Sequence, residues 1–503
     1  MKKIWQFIDE LLTGFWECFS TDNSYHWFVI AVIGIMLRSD SLGVTSIVRE
    51  LNLRPELYEN LLNFFHASTW NLTNIIHTWL VIVHRTGVAV YEGGKPILIG
   101  DHVKQNKEST RMPCVKKMKQ ESEDTSKPDE IIGHMFGALG ILVGNGLKNL
   151  CLPFSMTIQD GCRPILNWLD SEFKDDSNVQ RLVREACKAA ACLGMSCFLL
   201  MDRAFLSVPG LKVIVEESGK AAKNGIMTPL VTLITKAKRT AVAYELPESE
   251  YDANGNIKRK PGRPQKIPRG KKVWLFDLFT LRKNEFITTE LEMYGNIEKV
   301  SYFCIDLLWG DELFQLLRFV LATVEGTDIK KSILVSTDVT LHPLDIIRMY
   351  CWRFSIESSF KVFKQFICGF CYHFWSRLVP ALKKNMSAQE AVARLAEVTA
   401  EEARAAIIRT YRAIECFVMV SCIALGILQL TSLIFMNEIN NFRTRWLRTP
   451  SKAVPSEETV AFGLSKSFTW IFRVLPNIAI IEIIKLKKIE QNNVVDNVFE
   501  DSA

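Results

Sequence analysis

Cys197-Phe198-Leu199-Leu200-Met201-Asp202 is a run of apolar residues that ends in an aspartate, and Lys95-Pro96-Ile97-Leu98-Ile99-Gly100-Asp101 has the same outline. Short apolar runs of this kind are typical of buried strands. The pattern over 179–193 is helical, and strands that alternate with helices predict an α/β layer fold. An aspartate after one strand is usually a turn or helix cap. Two such aspartates predict a functional edge, because α/β folds bind ligands where their strands end.

A third acid lies in the stretch Tyr350-Cys351-Trp352-Arg353-Phe354-Ser355-Ile356-Glu357, which continues to Lys364. On one helix, these spacings place Tyr350, Arg353, Glu357 and Lys364 within a stripe of about 60°. A carboxylate flanked by cations and a phenol suits a metal-bound phosphodiester, because the acid binds the metal and its neighbours bind phosphates. Any amphipathic helix has a polar stripe, but the aromatic remainder of this helix predicts burial and a stripe that faces a cleft.

The bulk composition is that of a globular protein with several domains. A chain of 503 residues, 48% of them apolar, is expected to form about two to four domains. The net charge of +6 is modest, so the location of the charges matters more than their sum. Asp9, Glu10 and Glu17 interrupt any apolar run that would act as a signal peptide, and the 13 cysteines are irregularly spaced. We therefore predict a cytoplasmic protein with reduced thiols.

The hydrophobic periodicity changes several times along the chain and predicts five segments. A short helix, a turn and a second helix that begins near Pro55 make the N-terminal region a candidate DNA-binding helix-turn-helix, although most helix pairs bind nothing. Strands over 273–281, 299–306 and 332–337 predict a β-rich insertion. The segments are a helical N-terminal region (1–92), the first part of an α/β core (93–241), the β-rich insertion (242–341), the segment of the glutamate helix (342–375) and a helical C-terminal region (376–503).

A basic loop over 255–272 lies inside the predicted insertion. It contains eight Lys and Arg residues and no acid, and its prolines and glycines oppose regular structure. Most charge runs are solvated loops. Cations without a counter-charge also bind phosphates, and Pro261-Gly262-Arg263-Pro264 resembles a hook that reads the minor groove. We predict DNA contact here, with Lys258, Arg259, Lys260 and Arg263 as the binding residues.

One apolar stretch, Phe417–Met436, is 20 residues long, has no charged residue, and is long enough to cross a bilayer. It contains Ser421, Gln429, Thr431 and Ser432, and no second run of this kind accompanies it. We interpret it as a buried C-terminal helix. A membrane-anchored protein is the competing interpretation.

The pattern Tyr-x2-Arg-x3-Glu-x6-Lys, with aspartates about 155 and 255 residues before the glutamate, resembles the bacterial insertion-sequence transposases of the DDE type that carry a Tyr-Arg-Glu-Lys motif. The resemblance covers roughly residues 25 to 375. The blocks that carry it, besides the glutamate helix, are Gly100-Asp101-His102-Val103-Lys104, Leu200-Met201-Asp202-Arg203-Ala204-Phe205, Tyr302-Phe303-Cys304-Ile305-Asp306-Leu307-Leu308-Trp309-Gly310 and Leu334-Val335-Ser336-Thr337-Asp338. Ala204 departs from the pattern, because relatives tend to have an aromatic residue there.

The resemblance implies an RNase H-like catalytic core interrupted by a β-rich insertion. Asp101, Asp202 and Glu357 would then be the catalytic residues and the ligands of two Mg²⁺ ions, for which Mn²⁺ can substitute. Tyr350, Arg353 and Lys364 would hold DNA near the cleaved end. By its position, Trp309 is a candidate to stack on a flipped base, although a core tryptophan is commoner.

The same resemblance implies a cut-and-paste transposase that cleaves DNA at terminal inverted repeats, passes through a hairpin and joins the ends to target DNA. Its partner would be double-stranded DNA, its assembled state at least a dimer on paired ends, and no membrane would be involved. Two alternatives share the sequence features: an RNase H-like structure-specific nuclease without strand transfer, and a non-catalytic DNA-binding remnant of a transposon.

Other chemistry-bearing residues have ordinary interpretations. Cys368-x2-Cys371 with His373 resembles part of a zinc site, but no second ligand pair has suitable spacing. His134 is predicted to be a packed core histidine, and Asp338 a structural acid near the glutamate helix.

Overall fold

The computed structural model describes residues 1–40, 43–120, 129–170, 176–247, 269–324, 330–383, 385–442 and 453–488. The chain forms two compact units. Unit 1 contains Met1–Val90, His102–Asn178 and Ile356–Ala503, and unit 2 contains Tyr91–Asp101 and Val179–Ser355. The five-segment division made from the sequence remains a prediction.

The N-terminal part of unit 1 is helical, as predicted. Capping residues set the start of two helices, because the side chains of Thr21 and Asn71 accept backbone N–H groups of the first turn that have no partner inside the helix. The helices are α1 (Lys2–Thr13), α2 (Asp22–Leu37), α3 (Val44–Glu50), α4 (Tyr58–His66) and α5 (Leu72–Arg85).

The candidate helix-turn-helix corresponds to α3 and α4, which are joined through a turn and a short 3₁₀ helix that begins at Pro55. Leu61, Phe64 and Phe65 bury one side of α4. Its exposed residues are Glu59, Asn60 and Asn63, and the helix contains no Lys or Arg. The predicted outline is present, but α4 lacks the cations that bind DNA phosphates.

Antiparallel strands and C-terminal helices complete the core of unit 1. After β1 (Tyr91–Glu92), strand β2 (Lys95–Asn106) leaves unit 2 at Asp101 and enters unit 1. The next strands and the helix that follows them are β3 (Lys116–Lys119), β4 (Glu130–Gly144), β5 (Asn149–Ile158) and α6 (Arg163–Leu169). Strand β4 pairs antiparallel with β3 and with β5.

Unit 2 is an α/β layer fold built on three parallel strands. Its first elements are α7 (Asn178–Leu193), β6 (Cys197–Met201), α8 (Val208–Lys223) and β7 (Val231–Lys236). Strand β6 lies between β2 and β7 and is parallel to both. All five residues of β6 are buried, as the continuous apolar run predicts for a strand covered on both faces.

The predicted β-rich insertion is antiparallel. Its elements are β8 (Val242–Tyr244), β9 (Lys272–Trp274), α9 (Leu278–Leu281), β10 (Ile287–Met293), β11 (Asn296–Trp309), β12 (Gln315–Val324) and β13 (Lys330–Ser336). The strand predicted over 273–281 was wrong beyond Trp274, where a 3₁₀ turn and α9 bury Leu275, Leu278 and Phe279 at helical spacing. Strand β13 pairs antiparallel with β7 and so extends the parallel sheet into a mixed one.

The predicted glutamate helix is two helices, α10 (Pro343–Trp352) and α11 (Ser355–Gln365). The N–H groups of Arg353 and Phe354 bond to carbonyls three residues earlier, which is 3₁₀ geometry. The Ser355 hydroxyl also donates to the Trp352 carbonyl at 2.7 Å. These local bonds end α10, so the stripe predicted for one helix is divided between two.

The apolar stretch Phe417–Met436 lies mostly in α13, the central helix of unit 1. The C-terminal helices are α12 (Ala388–Ala396), α13 (Glu401–Ile434), α14 (Met436–Asn441), α15 (Glu457–Val474) and α16 (Ala479–Lys485). By length and composition α13 could cross a membrane, but 94% of its most apolar window is buried inside the protein. Helices α15 and α16 would pass the same test only as one bent span. The packing of α13 against α2, α4 and β5 accounts for its composition.

Candidate active site

In unit 2 the two aspartates come directly after the last residues that β2 and β6 pair in parallel. Asp202 follows the end of β6, but β2 continues through Asp101 to Asn106, so the prediction that this strand ends before Asp101 was wrong. Gly100 of β2 pairs with Met201 of β6. The parallel pairing ends there, and Asp101 and Asp202 are the next residues of the two chain segments. The charges of both act on Tyr350, so the two carboxylates lie near one edge of the paired segment. Their catalytic roles remain predictions.

Arg353 and Tyr350, at the end of α10, lie at the same edge. Arg353 Nη1 donates to Asp101 Oδ2 at 2.9 Å, and both side chains are about 15% exposed. Burial raises the pKa of Tyr350 to about 12, Arg353 opposes this rise, and the charges of Asp202 and Asp101 reinforce it. Tyr350 therefore keeps its proton at neutral pH and is a hydrogen-bond donor. The structure therefore brings Tyr350, Arg353 and the two aspartates close together in unit 2, and their proposed roles remain predictions.

Lys236 is a member of this edge that the sequence analysis missed. Leu200 of β6 pairs with Ile234 of β7, two residues before Asp202 and Lys236, and the charge of Asp202 acts on Lys236. Burial lowers the pKa of Lys236, while Asp202 raises it. The only local signal is that Lys236 ends the mostly apolar strand β7, and this does not indicate which strand lies beside it.

A cleft lined by cations adjoins this edge. We call it the basic cleft and define it by Arg203, Lys236, Lys238, Arg239 and Lys331. Arg239 and Lys331 lie over the ring of Phe276, 5.5 Å from its centroid in both cases. Since the lining contains no acidic side chain, the cleft is suited to a polyanion.

Glu357 and Lys364 lie on α11, in unit 1. Glu357 is exposed in the first helical turn, where a negative charge is favoured by the helix dipole. The Lys364 ammonium donates to the Lys104 carbonyl at 3.4 Å. In the part of the chain that the structure describes, no three His, Cys, Asp or Glu side chains form a group that could hold a metal ion. The three-acid metal site thus remains a prediction.

The other predicted DNA-binding residues are distributed as follows. Lys258, Arg259, Lys260 and Arg263 lie outside the described residues. Trp309 is half-buried at the end of β11, opposite Gln315, and its stacking role remains a prediction.

The predictions that His134 is a packed core histidine and that Asp338 is a structural acid are confirmed. His134 is fully buried, with Nε2 bonded to the Pro113 carbonyl and Nδ1 to the Tyr372 hydroxyl, both at 2.7 Å. Asp338 accepts the N–H and hydroxyl of Thr340 and pairs with Lys95 at 3.9 Å, so it stabilises a turn.

The chain has a distant structural likeness to a known transposase. No protein-family profile and no curated protein matches the sequence. Among solved structures, the chain is similar to a piggyBac transposase in a synaptic complex with hairpin DNA, determined by cryo-electron microscopy. The identity is 11% and the TM-score 0.33, and the alignment covers 94% of this chain and 77% of that chain. A TM-score of this size does not establish a shared fold.

Proposed function

We propose that this chain is a DNA transposase of the DDE type, with an RNase H-like catalytic core built on β2, β6 and β7. The observation that carries the proposal is the parallel pairing of Gly100 with Met201, the residues directly before Asp101 and Asp202, together with the action of both aspartate charges on Tyr350. Hard divalent cations take oxygen ligands, and two neighbouring carboxylates supply them. Glu357, four residues after Arg353, would supply the third acid.

The donor set of this edge fits Mg²⁺, or Mn²⁺ in its place. Mg²⁺ bound there would activate the attacking water and stabilise the leaving 3′ oxygen of a phosphodiester. Arg353 neutralises Asp101 and would neutralise an adjacent phosphate, which allows two anions to approach each other. Tyr350, protonated at neutral pH, would donate to a phosphate oxygen. Phosphoryl transfer needs positioning and neutralisation of charge rather than a protein nucleophile.

The substrate in this proposal is double-stranded DNA: the terminal inverted repeats of the element and the target. Lys236 and the exposed cations of the basic cleft would bind the phosphates that flank the cleaved bond. Lys364 would bind a phosphate of the transposon end that is further from the cleaved bond. We also propose a hairpin intermediate, a dimer on paired ends, a bacterial insertion-sequence origin and a cytoplasmic location.

The proposal is tested with purified protein and a duplex that carries the terminal repeats found beside its gene. Asp101→Asn, Asp202→Asn and Glu357→Gln should retain binding to this duplex and lose Mg²⁺-dependent cleavage by at least about a thousandfold, because each removes an anionic metal ligand. Asp338→Asn is the control, because Asp338 is a half-buried acid of unit 2, like Asp101 and Asp202, and it stabilises a turn.

The outcomes separate the candidate functions. An Asp202→Asn protein that cleaves like the wild type contradicts the proposal. Cleavage without joined products identifies an RNase H-like nuclease that lacks strand transfer. Binding without cleavage by the wild-type protein identifies a non-catalytic remnant.

A further inference from the structure

The Cys368-x2-Cys371 motif lies in a tight turn of unit 1, just after α11. Cys368 has a φ of +52°, and the Cys371 N–H donates to the Cys368 carbonyl at 2.9 Å. A turn closed in this way keeps its terminal Cα atoms within about 7 Å. A disulfide needs a Cα separation of roughly 4.4–6.8 Å, so a bond between these two sulfurs requires little movement of the backbone.

Two buried cations hold the backbone of this turn. The Arg38 guanidinium donates to the carbonyls of Ile367 and Cys368, and the Lys107 ammonium donates to those of Phe370 and Tyr372. Arg38 is only 8% exposed and Lys107 only 9%.

The partners of these two cations are neutral. Among the ion pairs of the described residues, none includes Arg38 or Lys107. A buried charge is costly without an opposite charge nearby. Both cations lower the pKa of the Cys371 thiol, so a thiolate at Cys371 would be their counter-charge.

Cys371 differs from the other half-buried cysteines. A hydrogen bond from Cys368, together with Arg38 and Lys107, lowers the pKa of Cys371 to about 6 against the opposing effect of burial. Burial instead raises the pKa of Cys18, Cys192 and Cys304, which have comparable exposure. The thiolate is the reactive form of cysteine, so Cys371 combines reactivity with access to solvent.

We propose that Cys368 and Cys371 form a redox-active dithiol, in which Cys371 is the attacking thiolate and low-molecular-weight disulfides are the oxidant. The Cys371 thiolate attacks one sulfur of the small disulfide, forms a mixed disulfide and releases one small thiolate. Cys368 loses its proton to that thiolate and attacks Cys371 Sγ. The second small thiolate leaves and the Cys368–Cys371 disulfide forms. The protein dithiol loses two electrons and the small disulfide gains them. This inference is independent of the proposed function.

The first test needs no variant and uses the full, reduced chain. Limiting iodoacetamide at pH 7, followed by peptide mass spectrometry, should label Cys371 at least about tenfold faster than Cys18, Cys192 and Cys304, because its thiolate fraction is larger. Labelling of Cys371 at the same rate as those three cysteines overturns the proposal.

The second test uses glutathione disulfide as the oxidant and maps the products. The wild-type chain and the matched control Cys192→Ser should form the Cys368–Cys371 disulfide. Cys368→Ser should stop at a glutathione adduct on Cys371, and Cys371→Ser should leave Cys368 unmodified. A Cys371→Ser protein that forms an adduct at Cys368 as fast as the wild type forms its disulfide contradicts the assignment of the attacking sulfur.

Discussion

At the residue scale, His134 shows how burial decides the state of a titratable group. The Pro113 carbonyl can only accept, so Nε2 carries the proton and Nδ1 accepts from the Tyr372 hydroxyl. Protonation of Nδ1 would remove the acceptor of the Tyr372 hydroxyl and leave a positive charge buried in the core. Burial accordingly lowers the pKa of His134 to about 4, with the Pro113 carbonyl opposing this and Lys107 reinforcing it.

This shift predicts a loss of stability in acid. An unfolded histidine titrates near pH 6.5, so the unfolded chain binds the proton first as the pH falls from 6.5 towards 4. The contribution of neutral His134 is complete above pH 6.5, and about 2–3 kcal/mol of it should be lost by pH 4.5. Urea unfolding of wild type and His134→Gln at pH 7 and 4.5 measures it, with the exposed His373→Gln as control. A wild-type advantage that is equal at both pH values would contradict the assigned pKa.

At the element scale, α13 is a buried core helix by its contacts, although its composition also fits a membrane span. Its polar residues bond inside the protein: Gln429 donates to the Cys151 carbonyl and Ser432 to the Pro455 carbonyl. Gly426 packs tightly against Trp79 and Leu152. A Cβ at this position would lie 2.5 Å from Trp79 Cζ2 and 3.1 Å from Leu152 Cδ2.

The packing around Gly426 predicts that Gly426→Ala destabilises the protein by about 1–3 kcal/mol, although alanine favours a helix more than glycine does. Gly463 of α15 is the matched control, because the nearest atom to an added Cβ is 3.7 Å away. Gly463→Ala should be neutral or should stabilise by up to about 1 kcal/mol. Thermal unfolding of both variants checks this. If Gly426→Ala raises Tm as much as the control does, the described packing of α13 is wrong.

At the scale of the whole molecule, the modest net charge of +6 conceals local concentrations of cations. The basic cleft contains exposed Arg203, Lys238, Arg239 and Lys331 without an acid in its lining. Binding of a polyanion at such a surface releases counterions, so affinity for DNA should fall with salt.

The location of these charges predicts a change in salt dependence. The double variant Lys238→Ala with Arg239→Ala should reduce the slope of log affinity against log salt by about 1 to 2, roughly one for each phosphate that is no longer neutralised. Fluorescence anisotropy with a labelled duplex measures the slope. A double variant that removes Lys220 and Lys223 of α8, two exposed cations outside the cleft, should leave it unchanged. If both double variants show the same slope, DNA does not bind at the basic cleft.

Local patterns were sufficient to predict the apolar strands before Asp101 and Asp202 and the strands within 299–306 and 332–337, because the periods of strands and helices are properties of short stretches. The same patterns correctly placed Asp202 after the end of its strand, but they did not predict that β2 continues past Asp101 to Asn106. They did not predict the break between α10 and α11, where 3₁₀ hydrogen bonds and the Ser355 hydroxyl replace the bonds that would continue the helix.

Lys236, the basic cleft and the pairing of Arg353 with Asp101 depended on the tertiary structure. Strand order and register decide which distant residues become neighbours, and neither is encoded in the period of a single strand. The same reason holds for Arg38, Lys107 and Cys371. Arg38 and Lys107 lower the pKa of the Cys371 thiol because the fold buries them away from water and close to that thiol.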